Sequence, residues 1–509
     1  MPVTTSSTLA QRYFDQGMAL SYGFNHVESE RSFTQVSMLD STCAMAWWGQ
    51  ALVLGPNINA PMDPATNAKA LKNIARAQRL MSGVTAREQA LIHALSKRYA
   101  DSTTGLSRGA LDTAYANAMR TVAQQFPNDP DVAALFAESL MDLHPWQYWE
   151  RNGTAYAWTP EIVETLERSM TRFPSHPGLL HLYIHAMEAS PTPHKAMDAA
   201  RTLETLVPGA AHLVHMPAHV YIRTGRYHDA IAANERAVKA DSIYMAKNKI
   251  EGVYVTGYVP HNSHFLSASA SFAGMGSLAL SSARRMAKHQ DPRKMRDAGF
   301  GALQHFGYFP LYVMVRFGMW DTILAEPSPE EGLKYPAGIW HYARGMAFLR
   351  RGSMTDATRE LRALQRIAAD TSLRSVTIWD VNTTYDILQI AVRVLEGEVA
   401  LVKGQHSRAI TLFNEAVVIE DALRYDEPPP WLVPVRESLG AAYLAAKKYA
   451  DAERVYREDL TMYPENGWSL YGLQIALRAQ GRTDEEQDVG RRLATAWRTA
   501  DVHLTASRF

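Results

Sequence analysis

Apolar residues recur at helical spacing along nearly the whole chain, and no long alternating run of β-branched residues interrupts them. The pattern predicts an all-α protein with β structure close to absent. No stretch of 18 or more apolar residues occurs; the one nearest to that, Phe265–Leu280, is mostly Ser, Ala and Gly, so no transmembrane helix is expected. A longer period lies over the helical one. From Gly440, the residues Tyr443, Tyr449, Ala452, Tyr456 and Pro464 follow at +3, +9, +12, +16 and +24. Small residues let two antiparallel helices approach, and aromatics fill the gap to the next pair.

The register recurs. Gly397, Gly404, Ala409, Phe413 and Ala416 mark the preceding unit, and Gly345, Gly352, Ala357 and Leu361 the one before. Gly17 and Ala51 are 34 residues apart at the N-terminal end. In the middle, Ala218, Tyr221, Gly225, Tyr227, Ala230 and Ala237 match in order. On these residues the chain resembles tetratricopeptide-repeat proteins over most of its length. It is similar, more narrowly, to a bacterial and fungal group of such proteins with paired H-x-x-x-H motifs. The matching runs are Tyr13–Gly17, Gly23–His26, Cys43–Gly49, Gly55–Asn59, His181–Glu188 and His212–His219. The resemblance implies a tetratricopeptide-like α-solenoid, a right-handed superhelix of helix-turn-helix repeats, and carries no reaction with it. We read residues 1–509 as one continuous superhelix, with His-rich repeats at about 177–275 and more regular repeats at about 338–500. Four segments break the pattern and are read as loops: Gly55–Pro64, Pro145–Thr159, Tyr254–Pro260 and Glu326–Pro336.

The chemistry concentrates in histidine. His181 and His185 are four apart and share a helix face, His215 and His219 repeat the arrangement, and the offset between the pairs is 34, the repeat length. Equivalent places on neighbouring helices bring imidazoles from both to one point. The resemblance implies that these positions face the concave groove, together with His212 and Glu188. His261 and His264 follow Pro260 as an i,i+3 pair that suits chelation. Neutral imidazole binds zinc, copper, iron and nickel. The expected metal ligands are therefore His181, His185, His215, His219, His261 and His264, for copper, iron or zinc. Glu188 is expected as a ligand, as a partner orienting an imidazole, or as a general base. Groove-lining candidates are Trp48, Asn57, Asn59, Glu138, Asp142, His212, His305, Tyr308, Tyr312 and Arg316.

Composition narrows the function class. Lys+Arg and Asp+Glu are both 52, which argues against a nucleic-acid binder and against a polybasic membrane-surface protein. One cysteine, Cys43, excludes an internal disulfide and any site needing two thiolates from this chain. The N-terminal residues show no basic-then-apolar leader pattern, so a cytoplasmic protein is expected. No phosphate loop, nucleophile elbow or dinucleotide fingerprint is present. The reading is a metalloprotein, an enzyme acting on a small molecule by redox chemistry or metal-assisted hydrolysis. The alternative is an adaptor that binds a peptide or protein in a polar, His-lined groove.

Overall fold

Three small–aromatic contacts show how the repeat sequence builds its helix pairs. Phe33, on the helix His26–Leu39, is sealed between the helices Thr8–Ser21 and Ala44–Leu52. It sits sixteen residues after Gly17 and sixteen before Gly49, and a Cβ at either glycine would stand 2.6 Å from a ring carbon. Tyr456 lies between Gly440 and Gly472 at the same spacing, and Phe413 covers Gly397. One ring per pair thus locks the second helix against the first helices on both sides.

The computed structural model describes residues 1–248, 252 and 254–509. Among these residues the chain is an α-solenoid of tetratricopeptide type: helix follows helix, and helices adjacent in sequence pack on one another along most of its length. The only strands among the described residues are the two-residue pair Thr377–Ile378 and Asn382–Thr383. No helix among the described residues is long and apolar enough to cross a membrane. Where the sequence shows no boundary, the folded chain divides into two compact units. The first is Met1–Val220 with Lys239–Asp241, and the second is Tyr221–Val238 with Ser242–Phe509.

Two local features depart from the sequence reading, and proline explains both. The helix carrying His215 is not continuous with that carrying His219. Pro217 has no N–H to donate, so Ala211–His215 ends and Pro217–Arg223 begins anew. The segment Tyr254–Pro260 is helical instead of a loop. Tyr254–Tyr258 forms a π-helical turn, and Pro260 sits in the first turn of the helix Val259–Phe272, where a missing N–H costs nothing. The other three segments stay irregular until helices begin at Pro64, Thr159 and Lys334.

The second unit encloses a buried ion-pair network. Arg316 Nη1 and Nη2 donate to Glu437 at 3.2 and 3.1 Å, and its guanidinium lies over the rings of Trp468 and Phe272. Asn466 Nδ2 donates to both Glu437 and Asp459 at 2.9 Å, and Ser469 donates to Asp459 at 2.6 Å. Burial outweighs the Arg316 charge and pushes Glu437 up to about 7, and burial pushes Glu420 up to about 8.

Two predictions follow from this packing. Gly49→Val drives a branched side chain into Phe33 and should lower stability by about 1–3 kcal/mol. Gly109→Ala, on a helix face with open space, should leave the melting temperature level or higher. A thermal-unfolding comparison checks both. Glu437 and Glu420 have folded pKa values above the unfolded ~4.3. Their contribution is therefore complete below that pH and declines as pH rises through 7 and 8. The melting temperature of Glu420→Gln relative to the wild-type chain should therefore rise between pH 5 and 8.

Candidate metal centre

His181 and His185 stand one turn apart on the helix Pro177–Met187. That helix starts cleanly: Pro177 occupies its first turn, and His176 accepts from Leu179 N at 3.3 Å. It stops at Glu188, which occupies its C-cap position. Two short helices further on, Ala211–His215 and Pro217–Arg223, bring His212, His215 and His219. The turn after the first helix of the chain adds Tyr22 and Phe24, the latter held at φ 55°. Tyr22 is seated on Gly178, where a Cβ would stand 2.6 Å from its ring.

The result is a run of five imidazoles within the first unit. Ring centroids are separated by 4.7 Å (His181–His185), 4.9 Å (His181–His212), 5.9 Å (His212–His215), 4.8 Å (His215–His219) and 5.7 Å (His185–His219). Phe24 packs against His181, His185 and His212, and Trp146 stands edge-on to His185 at 5.3 Å. All five rings and Glu188 are buried, at 0–3% exposure. His181, His185 and His212 each offer a ligand atom within 4.8 Å of the others.

Hydrogen bonds on the far side of His181 and His185 fix which ring nitrogen faces the cluster. His181 Nδ1 lies 2.5 Å from the Tyr22 carbonyl, which can only accept, so Nδ1 carries the proton. In the neutral ring, Nε2 then presents a lone pair, 3.1 Å from His212 Nε2. His185 Nδ1 lies 3.0 Å from Glu188 Oε1, which orients its ring the same way. Its Nε2 is buried without a hydrogen-bond partner. The other carboxylate oxygen of Glu188 meets His219 Nδ1, and His219 Nε2 lies 2.9 Å from His215 Nε2. Burial and then the neighbouring His185 drive His181 well below the usual imidazole range; burial also lowers His185 against the pull of Glu188. Burial alone would raise Glu188, but His219 and His185 outweigh it and hold the carboxyl at about 2.

The remaining candidates sort into several places. In the first unit, Trp48 is core: it is 1% exposed and donates to the Leu91 carbonyl at 3.2 Å. Asn57 shapes its own loop by accepting from Asn59 N and Ala60 N at 2.9 and 3.0 Å, while Asn59 Oδ1 is buried without a hydrogen-bond partner. Asp142 accepts from Arg98 at 2.5 Å. Burial, then Asp142, push Glu138 up to about 8, and burial pushes Asp142 up to about 6.

In the second unit, His261 packs on Phe265, with centroids 4.9 Å apart. His264 lies among His305, Phe306 and Phe309, and neither of its nitrogens has a hydrogen-bond partner. His305 Nδ1 is 2.8 Å from Tyr335 Oη, which is 3.1 Å from Tyr312 Oη. Tyr308 lines a separate hollow with Arg284, Glu326 and Trp340, and Arg316 belongs to the ion-pair core described above. Folding sets His212, a groove candidate from its spacing, beside His181. Phe24 and the Tyr22 carbonyl were missed. An aromatic side chain has no periodic mark of such a role, and a carbonyl is common to every residue.

No family model matches the chain, and no curated protein matches it. Solved structures that align with it are repeat proteins. Human IFIT1 dimer with m7Gppp-AAAA aligns over 96% of each chain, with 12% identity and a TM-score of 0.34. The APC/C hetero-tetramer Cut9-Hcn1 aligns over 97% of this chain and 76% of that one, with 11% identity and a TM-score of 0.31. The P58(IPK) TPR domain aligns over 94% and 99%, with 15% identity and a TM-score of 0.23. Likenesses this distant carry no functional residue across to this chain.

Proposed function

We propose that the chain is a metalloprotein whose first unit binds a transition-metal ion through His181, His185 and His212, and that it acts as an enzyme on a small molecule there. The observation that carries this reading is His185 Nε2, a buried lone pair with no hydrogen-bond partner, on a ring whose other nitrogen is held by Glu188. Leaving a buried polar atom unsatisfied costs about 1–3 kcal/mol, which a bound ion removes. The spacing supports it as well. Two imidazole nitrogens bound to one ion at the usual lengths stand roughly 2.9–3.4 Å apart, and His181 and His212 are at 3.1 Å.

An all-nitrogen donor set without thiolate suits copper, iron or zinc. When bound, such an ion supplies Lewis acidity or redox capacity. The chain's own groups set the geometry: the Tyr22 carbonyl and Glu188 hold the ring tautomers, while Phe24 and Trp146 exclude water and fix the ring planes. Glu188 thus serves as a positioning residue, because its oxygens face Nδ1 atoms. Burial favours the small-molecule reading over the adaptor. A peptide cannot touch side chains that are 0–3% exposed, whereas an ion or a small substrate needs only a narrow path.

Plasma mass spectrometry on the untagged protein should find at least one equivalent of copper, iron or zinc. His181→Ala/His185→Ala should lose the equivalent held there while circular dichroism shows the helices retained. Absence of metal after reconstitution would overturn the proposal and leave the adaptor reading as the better one.

A further inference from the structure

We infer that the first unit holds a second metal position, on His215 and His219, and that Glu188 couples it to the one on His181, His185 and His212. The inference rests on the metal reading above and extends it from one ion to two. Its basis is the division of Glu188 between two histidine sets. One oxygen faces Nδ1 of His185, the other faces Nδ1 of His219, and the carboxylate is fully buried between them. A ring whose Nδ1 is turned to a carboxylate points its Nε2 away from it. His185 Nε2 therefore serves the first set, and His219 Nε2 faces His215 Nε2 at 2.9 Å.

That separation falls in the range for two imidazoles on one ion, as for His181 and His212. A hydrogen-bonded imidazole pair has the same length, and metal stoichiometry separates the two. One further feature supports a separate second position. Pro217 breaks the helix between His215 and His219, so this pair is set by its own backbone geometry instead of by helical spacing.

Coupling follows from electrostatics. Two cations on either side of one buried carboxylate repel each other, and the carboxylate offsets part of that repulsion. Binding should therefore come in two unequal steps, the second weaker. Removing the negative charge should weaken both positions and the second one more. Loss of such an orienting partner typically costs about 10–100-fold in metal affinity.

The test is a cobalt(II) titration of the full-length, metal-stripped chain, read by visible absorption and by bound metal per chain. Wild type should take up two equivalents in two steps. His215→Gln/His219→Gln should bind one equivalent and keep the first step, and His181→Gln/His185→Gln should bind one and keep the other. Glu188→Gln should bind both more weakly, the second by at least ten-fold, with the visible band of each position altered. A wild-type chain that binds one equivalent, or a His215→Gln/His219→Gln chain that still binds two, would overturn the inference while leaving the first metal in place. No cobalt bound at all would instead overturn the metal reading itself. Because the wild-type stoichiometry needs no variant, the test survives a misfolded mutant.

Discussion

Acceptors placed behind imidazoles are the constraint on which the first unit's centre depends. Left alone, a histidine ring turns about its side-chain bonds and exchanges tautomers. Here the Tyr22 carbonyl takes the proton side of His181, and the two oxygens of Glu188 face the corresponding sides of His185 and His219. The hydrogen bonds of His181 and His185 each remove a rotamer and a tautomer, so their remaining nitrogens point inward with no further adjustment. The cost is burial of a carboxylate. That cost is tolerable only because two imidazole Nδ1 atoms stand against it.

The repeat packing makes that placement repeatable. Small residues under aromatic rings bring helices close enough that side chains one repeat apart meet. The pairing of Gly17 and Gly49 with Phe33 is mechanical support, and Gly178 under Tyr22 is its counterpart at the centre. Tyr22 rests on the same helix that carries His181 and His185, so its carbonyl is set by the packing that sets those rings. A change in the packing should therefore be felt as a change in tautomer. In the second unit the equivalent interior is spent differently, on an Arg316–Glu437 pair with Asn466 and Asp459 around it.

Much of this was legible in the chain. The small–aromatic register gave the solenoid fold, and the 34-residue offset between the H-x-x-x-H pairs put His181, His185, His215 and His219 into one neighbourhood. Both signals are periodic, and periodicity survives as long as helices stack in order. Pro217 and Pro260 show its limit. The same residue breaks one helix and opens another, according to whether a backbone N–H was needed at that point.

Sequence by itself determined the helix pairs, the repeat spacing and the cluster of imidazoles, since each follows from contacts between residues a fixed number of positions apart. Tertiary structure alone decided which atoms face one another. The proton acceptor for His181 is a backbone carbonyl far away in sequence, supplied by Tyr22. Glu188 turned out to stand between two histidines instead of beside one. Arg316, one of the groove candidates, is closed by Glu437 from a distant helix. Such partners are brought together by packing between non-neighbouring elements, and no spacing along the chain encodes the orientation of a ring or the destination of a charge.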